Sequence, residues 1–240
     1  MLNPNKQNIQ EIYTDDEMNE LPYDLALELD KRKYCLFYLS LLKTKHNLIF
    51  SFFYNEDYNS RIIKMDLFIF SFTIYYAINA LFFNDDSMHE IYMSKGSFDF
   101  EYELPKIFYS SLISLLLNFL LKFLAISNKA ILSFKSNKSI NDIDKREKLL
   151  KKKLKIKFIL FYIISSVLLL FFWYYLSVFC AVYRNTQYHL IKDTLISFTL
   201  SLFYPLVIYL FPGLMRIPSL KNRNNNKKYL YNFSKIIQMF

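Results

Sequence analysis

The chain has 240 residues, 53% of them apolar and 19% aromatic, with 30 Lys and Arg against 21 Asp and Glu for a formal charge of +9. Its two glycines, Gly96 and Gly213, exclude a phosphate-cradling loop of the GxxxxGK[ST] or GxGxxG kind and a GxxxG helix contact. The two cysteines, Cys35 and Cys180, are too few and too far apart for a disulfide framework or a structural zinc site.

Residues 1–33 are polar and rich in acids, without a central apolar run. They are predicted to be a polar N-terminal segment with no cleavable signal peptide, which leaves insertion to the first span. Tyr34 to Phe53 carries Ser40, Lys43, Thr44, Asn47 and Ser51 as a polar stripe at helical spacing, opposite Phe37, Leu41, Leu48, Ile49 and Phe52. Spanning would bring Lys43 and Lys45 near the midplane, where each charged Lys costs about 2.5 to 3.5 kcal/mol. The pattern therefore predicts an interfacial amphipathic helix, with its linker over 34–61. A fifth span is the alternative, and it would carry the N-terminus to the other side.

Four runs are long and apolar enough to cross a bilayer: about 62–83, 107–126, 158–182 and 195–215. The third is the clearest. From Phe158 to Val182 there are 25 uncharged residues, about 37 Å of helix at ~1.5 Å per residue, against a hydrocarbon core of about 30 Å. The second holds Asn118 and Lys122, the latter near an end from which its stem can snorkel to headgroups. The fourth holds Pro205, which removes a backbone donor and kinks a helix. Asn79 and Asn118 are expected to bridge neighbouring helices. The expected fold is all-α: a four-transmembrane-helix bundle, 62–215, flanked by interfacial amphipathic helices.

The connections carry unequal charge. Five lysines, Lys151, Lys152, Lys153, Lys155 and Lys157, stand directly before the third span. Ser127 to Lys157 has eleven basic residues against three acids, and the tail after Met215 has six and none. By contrast, "NDDSMHEIYMSKGSFDFEYELPK" has two lysines and six acids. Lys and Arg near short loops are retained on the cytosolic side, so both termini are predicted to be cytosolic. Sequons at Asn137 and Asn232 then fall where no glycan is added. The lysine cluster also suits anionic headgroups, worth about 1 kcal/mol per basic side chain near the surface. A nucleic-acid surface would need a folded basic face or stacking aromatics, whereas these lysines abut a span.

Within the loop just quoted, "SFDFEYEL" alternates with a two-residue period, which fits an extended segment or a loop. "DDSMHE", Asp85 to Glu90, is the sole clustering of potential metal ligands, and it lacks an HExxH pattern. "HLIKD" pairs His189 with Asp193, weak support for acid–base chemistry, and no nucleophile has a partnered base. The tail 216–240 is predicted to break at Pro212, Gly213 and Pro218, run through a flexible Asn-rich stretch, and end in a short amphipathic helix with Leu230, Phe233, Ile236, Ile237 and Phe240 on one face.

The strings "ELPYDLALELDKRKYCLFYLSLLKTKH", "YNSRIIKMDLFIFSF", "ALFFNDDSMHEIY" and "FCAVYRNTQYHLIKDTLISFTLSLFYPLVIYLFPGLMRIPSL" together resemble a group of uncharacterised multi-pass membrane proteins of ciliated protists, over residues 20 to 240. The resemblance implies a C-terminal membrane module of a longer chain, so that this one would be a short member or a fragment. It implies no activity, cofactor or site residue. The expected function is a non-enzymatic anchor or scaffold module with a basic cytosolic face and anionic lipids as partners. The alternative is a subunit of a channel or transporter, resting on Pro205, Asn118 and Lys122, with other membrane-protein subunits completing a path.

Overall fold

A computed structural model describes residues 13–95, 100–136, 143–221 and 226–238. Every regular element among them is helical. In chain order these are α1 (Asp15–Glu20), α2 (Tyr23–Leu29), α3 (Tyr34–Lys45), α4 (Asn47–Phe52), α5 (Arg61–Leu81), α6 (Asp85–Met93), α7 (Phe100–Ala125), α8 (Asn128–Ser136), α9 (Ile143–Val182), a single 3₁₀ turn (Arg184–Thr186), α10 (Gln187–Ile208), α11 (Leu210–Lys221) and α12 (Asn226–Ile237). Four stretches are long and apolar enough to cross a membrane: Arg61–Leu81, Leu104–Ala125, Ile143–Val182 and Gln187–Lys221. The chain divides into two compact units, Met1–Lys64 with Leu202–Phe240, and Met65–Ser201.

In the first unit the N-terminal segment folds instead of trailing. Thr14 caps α1: its hydroxyl accepts from the Glu17 amide at 3.3 Å, and Glu17 accepts from the Thr14 amide at 2.8 Å. That reciprocal box satisfies two amides that a helix start leaves without partners. Met18, Leu21, Tyr23 and Ala26 then pack with Tyr231 of α12 into one apolar cluster. Helix α3 packs on α1, α4 and α11. The apolar run Tyr34 to Phe53 is not one helix, because His46 is extended and separates α3 from α4. The imidazole Nε2 of His46 lies 2.8 Å from the Leu202 carbonyl oxygen, which fixes the bend.

The polar stripe expected to face headgroups turns inward in part. Ser40, Thr44 and Ser51 are buried, while Leu36, Leu39 and Phe53 are exposed. The reason lies in the preceding segment, since Asn19 Nδ2 donates to Ser40 and to Thr44. The expected break at Pro212, Gly213 and Pro218 also gives way to a helix. Pro212 falls in the first turn of α11, where no donor is missed, and Pro218 is carried inside it. The chain does break one step earlier, at Tyr209, between α10 and α11. The terminal amphipathic helix forms as α12, with Leu230, Phe233 and Ile236 exposed and Tyr231 and Ser234 buried; Phe240 lies outside the described residues.

In the second unit α7 packs along α9, and α8 also packs on α9. The alternating stretch is corrected from Phe100 onward, where residues join α7 in place of an extended segment; 96–99 lie outside the described residues. A two-residue period has no partner strand here among the described residues, whereas a long apolar run directly downstream extends a helix at little further cost. Pro105 sits in the second turn, so its missing donor affects the Glu101 carbonyl, close to the helix end. "HLIKD" is likewise helical, inside α10.

Candidate functional site

The outer surface of α9 is the most informative feature of the second unit. Along this 40-residue helix only Phe161, Ser165, Phe172 and Phe179 are buried. The spacing of four, seven and seven residues makes a narrow seam. Around it Leu160, Ile163, Val167, Leu170, Trp173 and Tyr174 are exposed, Trp173 at 70%. Helix α7 repeats the pattern: Ile107, Leu121 and Ala125 are buried, while Phe108, Leu112, Leu116, Phe119 and Phe123 are exposed. An apolar side chain left in water forgoes about 1.5 to 3 kcal/mol, so a surface of this kind suits hydrocarbon rather than water.

The five lysines lie in the third to fifth turns of α9, ahead of its apolar part, and they do not behave alike. Lys151, Lys152, Lys153 and Lys155 are exposed. Lys151 pairs with Glu147 at 2.5 Å one turn back. Lys157 instead turns onto the end of α7. It donates to the Ile126 carbonyl at 2.5 Å and stands 5.4 Å from the Phe123 ring centroid. Four of the five are thus available to headgroups, and the fifth joins two helices.

Asn79 is fully buried and bridges α5 to α10, donating from Nδ2 to the hydroxyls of Thr194 at 3.3 Å and Ser197 at 3.0 Å. Asn118 is half-buried on α7. Pro205 stays inside α10, and the hydroxyl of Ser201, four residues earlier, donates to the Phe198 carbonyl at 2.6 Å. No local pattern marks the ion pair that Asp193 makes. Lys106 Nζ lies 2.8 Å from Asp193 Oδ2, with side chains only 9% and 2% exposed, and 3.9 Å from the Phe83 ring centroid. Asp193 therefore has Lys106 as its partner, not the His189 of its own segment.

In the first unit Arg216 is wholly buried, although it follows the last predicted span by a single residue. Its guanidinium donates to Asp30 Oδ2 from Nε (3.1 Å) and Nη2 (2.9 Å), and to the carbonyls of Met18 (2.8 Å) and Asn19 (3.0 Å). The rings of Phe37 and Tyr231 lie 4.9 and 4.7 Å from its central carbon. Arg32 holds the other side of the same carboxylate, from Nε at 2.8 Å and Nη2 at 2.9 Å, and donates to Ser40 at 3.0 Å. Burial alone would raise the Asp30 carboxyl; the Arg32 hydrogen bond and the two guanidinium charges outweigh it and hold it below its ordinary value. Burial pushes the Tyr231 hydroxyl up to about 12. A third buried pair, Lys64 with Asp57 at 2.7 Å, is roofed by Phe50 and Tyr54.

"DDSMHE" forms α6, capped by Asn84, and Tyr183 donates to Asp85 at 3.3 Å. Among the described residues no group of three or more His, Cys, Asp or Glu could hold a metal ion. The fold is thus all-helical, with four helices long and apolar enough to cross a membrane. No family model, curated protein or solved structure matches the chain.

Proposed function

We propose that the chain is a multi-pass integral membrane protein that works as a non-enzymatic anchor or scaffold module, with both termini cytosolic and a basic face on anionic headgroups. Membership of the ciliate group that the sequence resembles is part of the same proposal. The observation that carries it is α9: exposed lysines directly before its apolar part, then an apolar surface open on nearly every side but one seam. In a bilayer that order puts the ammonium groups at the headgroups and the apolar part in the chains. Replacing Lys151, Lys152, Lys153 and Lys155 by Gln tests the lipid contact. At about 1 kcal/mol per side chain, capture of the detergent-solubilised protein on phosphatidylserine liposomes falls by an order of magnitude or more. Equal capture on phosphatidylserine liposomes before and after the change would defeat it. A glycan found at Asn137 or Asn232 contradicts the sidedness.

A second reading, a subunit of a channel or transporter, is favoured by the interior of the second unit. Ser71, Asn79, Ser110, Ser114, Ser165, Asp193, Thr194 and Ser197 are all buried there, while the outside is apolar. Ionisable groups such as Asp193 inside spanning helices mark substrate or ion paths by default.

A further inference from the structure

Helix α9 is continuous from Ile143 to Val182, so the spacing of its lysines fixes the side of the helix that each one takes. Lys148, Lys151, Lys152 and Lys155 stand at i, i+3, i+4 and i+7, which gathers them within about a third of the circumference, and all four are exposed. The opposite side is the packed one. There Arg146 lies 5.4 Å from the Phe134 ring of α8, and Lys157 donates to the Ile126 carbonyl at the end of α7. Asp144, one turn before Lys148, ends the row with the opposite charge. Lys151 also meets Glu147 at 2.5 Å, but an exposed pair one turn apart holds it only weakly against a phosphate. The row is therefore a one-sided ladder about 10 Å long, at ~1.5 Å per residue.

The ladder runs along the helix axis and not across it. Counted from Phe158, where the uncharged run begins, Lys155 is about 5 Å out, Lys152 about 9 Å, Lys151 about 10 Å and Lys148 about 15 Å. The interfacial layer on either side of the hydrocarbon is only about 5 to 7 Å deep. A span tilt of about 20° shortens these depths by under about a tenth. Helix side chains lean toward the N-terminus, here away from the apolar part, which carries the outer ammonium groups further still. A phosphatidylserine headgroup presents its charge at one depth, near Lys155 and Lys152, and leaves Lys151 and Lys148 beyond it. An inositol ring with phosphates on its far edge presents charge at two depths, the phosphodiester near the membrane and the monoesters outside it. Lysine suits such phosphates as a compact charge with three donors.

We infer that Lys148, Lys151, Lys152 and Lys155 form a site for the polyphosphorylated inositol headgroup of a lipid, with the inner pair, Lys152 and Lys155, on the phosphodiester and the outer pair, Lys148 and Lys151, on the ring phosphates. This rests on the anionic-headgroup reading above and names the lipid class that the basic face selects.

The test uses the full chain in phosphatidylcholine nanodiscs, titrated with fluorescent short-chain phosphatidylserine or phosphatidylinositol bisphosphate and read by polarisation against empty nanodiscs. The bisphosphate is expected to bind at least about tenfold more tightly than phosphatidylserine. Changing the outer pair, Lys148→Gln with Lys151→Gln, should weaken the bisphosphate by about tenfold or more and leave phosphatidylserine within about twofold. Changing the inner pair, Lys152→Gln with Lys155→Gln, should weaken both lipids. All four side chains are exposed, so thermal unfolding of these variants should match the wild type. Soluble inositol trisphosphate should bind at least about tenfold more weakly than the lipid, since it lacks the membrane's hold on the ligand. Binding as tight as the lipid's would make a free inositol phosphate the ligand and overturn the assignment. Equal affinity for the two lipids, or an outer-pair change that weakens both alike, also overturns it while leaving the general headgroup reading in place. Binding of neither lipid removes both.

Discussion

Arg216 is wholly buried in the first unit, with four of its five N–H donors used there. Asp30, two carbonyls and two aromatic faces surround it. Taking away one member of such a buried set costs about 3 to 5 kcal/mol, since the partners remain buried. Arg216→Met is expected to lose that much in chemical unfolding of the first unit, more than the exposed Lys221→Met on the same helix, which should change little. Asp30 adds a pH dependence. Its folded pKa lies below the unfolded value of about 3.9, so its contribution is present in full above that value and is lost as pH falls through the lowered one. Melting temperature should therefore decline on acidification below about pH 4, and Asp30→Asn, already destabilised, should lose that component of the decline. The Thr14–Glu17 capping box was a legible local sign that the N-terminal segment folds. No local sign marks Arg216 as the partner of Asp30, because 186 positions separate them.

Elements followed the apolar runs where a single physical term dominated, and departed from them where a distant partner intervened. The four helices long and apolar enough to cross a membrane were legible because length and absence of charge suffice to define an oil-length helix. The polar stripe of α3 was misread, since its outward or inward direction depends on Asn19 and Arg32, which lie in a segment with no apolar pattern. Helix α11 was missed because Pro and Gly signal breaks in isolation. In place, Gly213 permits close packing: a Cβ there would meet the Tyr34 ring at 2.6 and 2.9 Å and Phe37 at 3.5 Å. That ring is held, as the Tyr34 hydroxyl donates to the Leu210 carbonyl at 3.0 Å. Gly213→Ala should thus destabilise by about 1 to 3 kcal/mol through overpacking, despite the gain in helix propensity, and thermal unfolding will show it.

For the whole molecule, counting Lys and Arg by segment treated every basic residue as solvent-exposed. The structure withdraws four of them, Arg32, Lys64, Lys106 and Arg216, into buried pairs with Asp30, Asp57 and Asp193. The exposed basic residues that remain are densest just before the apolar part of α9, which is why the proposed sidedness rests on that cluster more than on the net charge of +9. The candidate site in the second unit was half legible: Asn79 stood out as a polar residue in a predicted span, but Lys106 and Asp193 fall just outside the predicted spans 107–126 and 195–215, in stretches that are helix.

The central claim is that the open apolar surface of α9 lies in hydrocarbon, and the chain's one tryptophan, Trp173, reports on it directly, being 70% exposed there. Its fluorescence should be quenched strongly when the protein is reconstituted in lipids brominated along the acyl chains, and left nearly unchanged by aqueous iodide. Strong quenching by iodide with none from brominated chains would place that face in water and contradict the account.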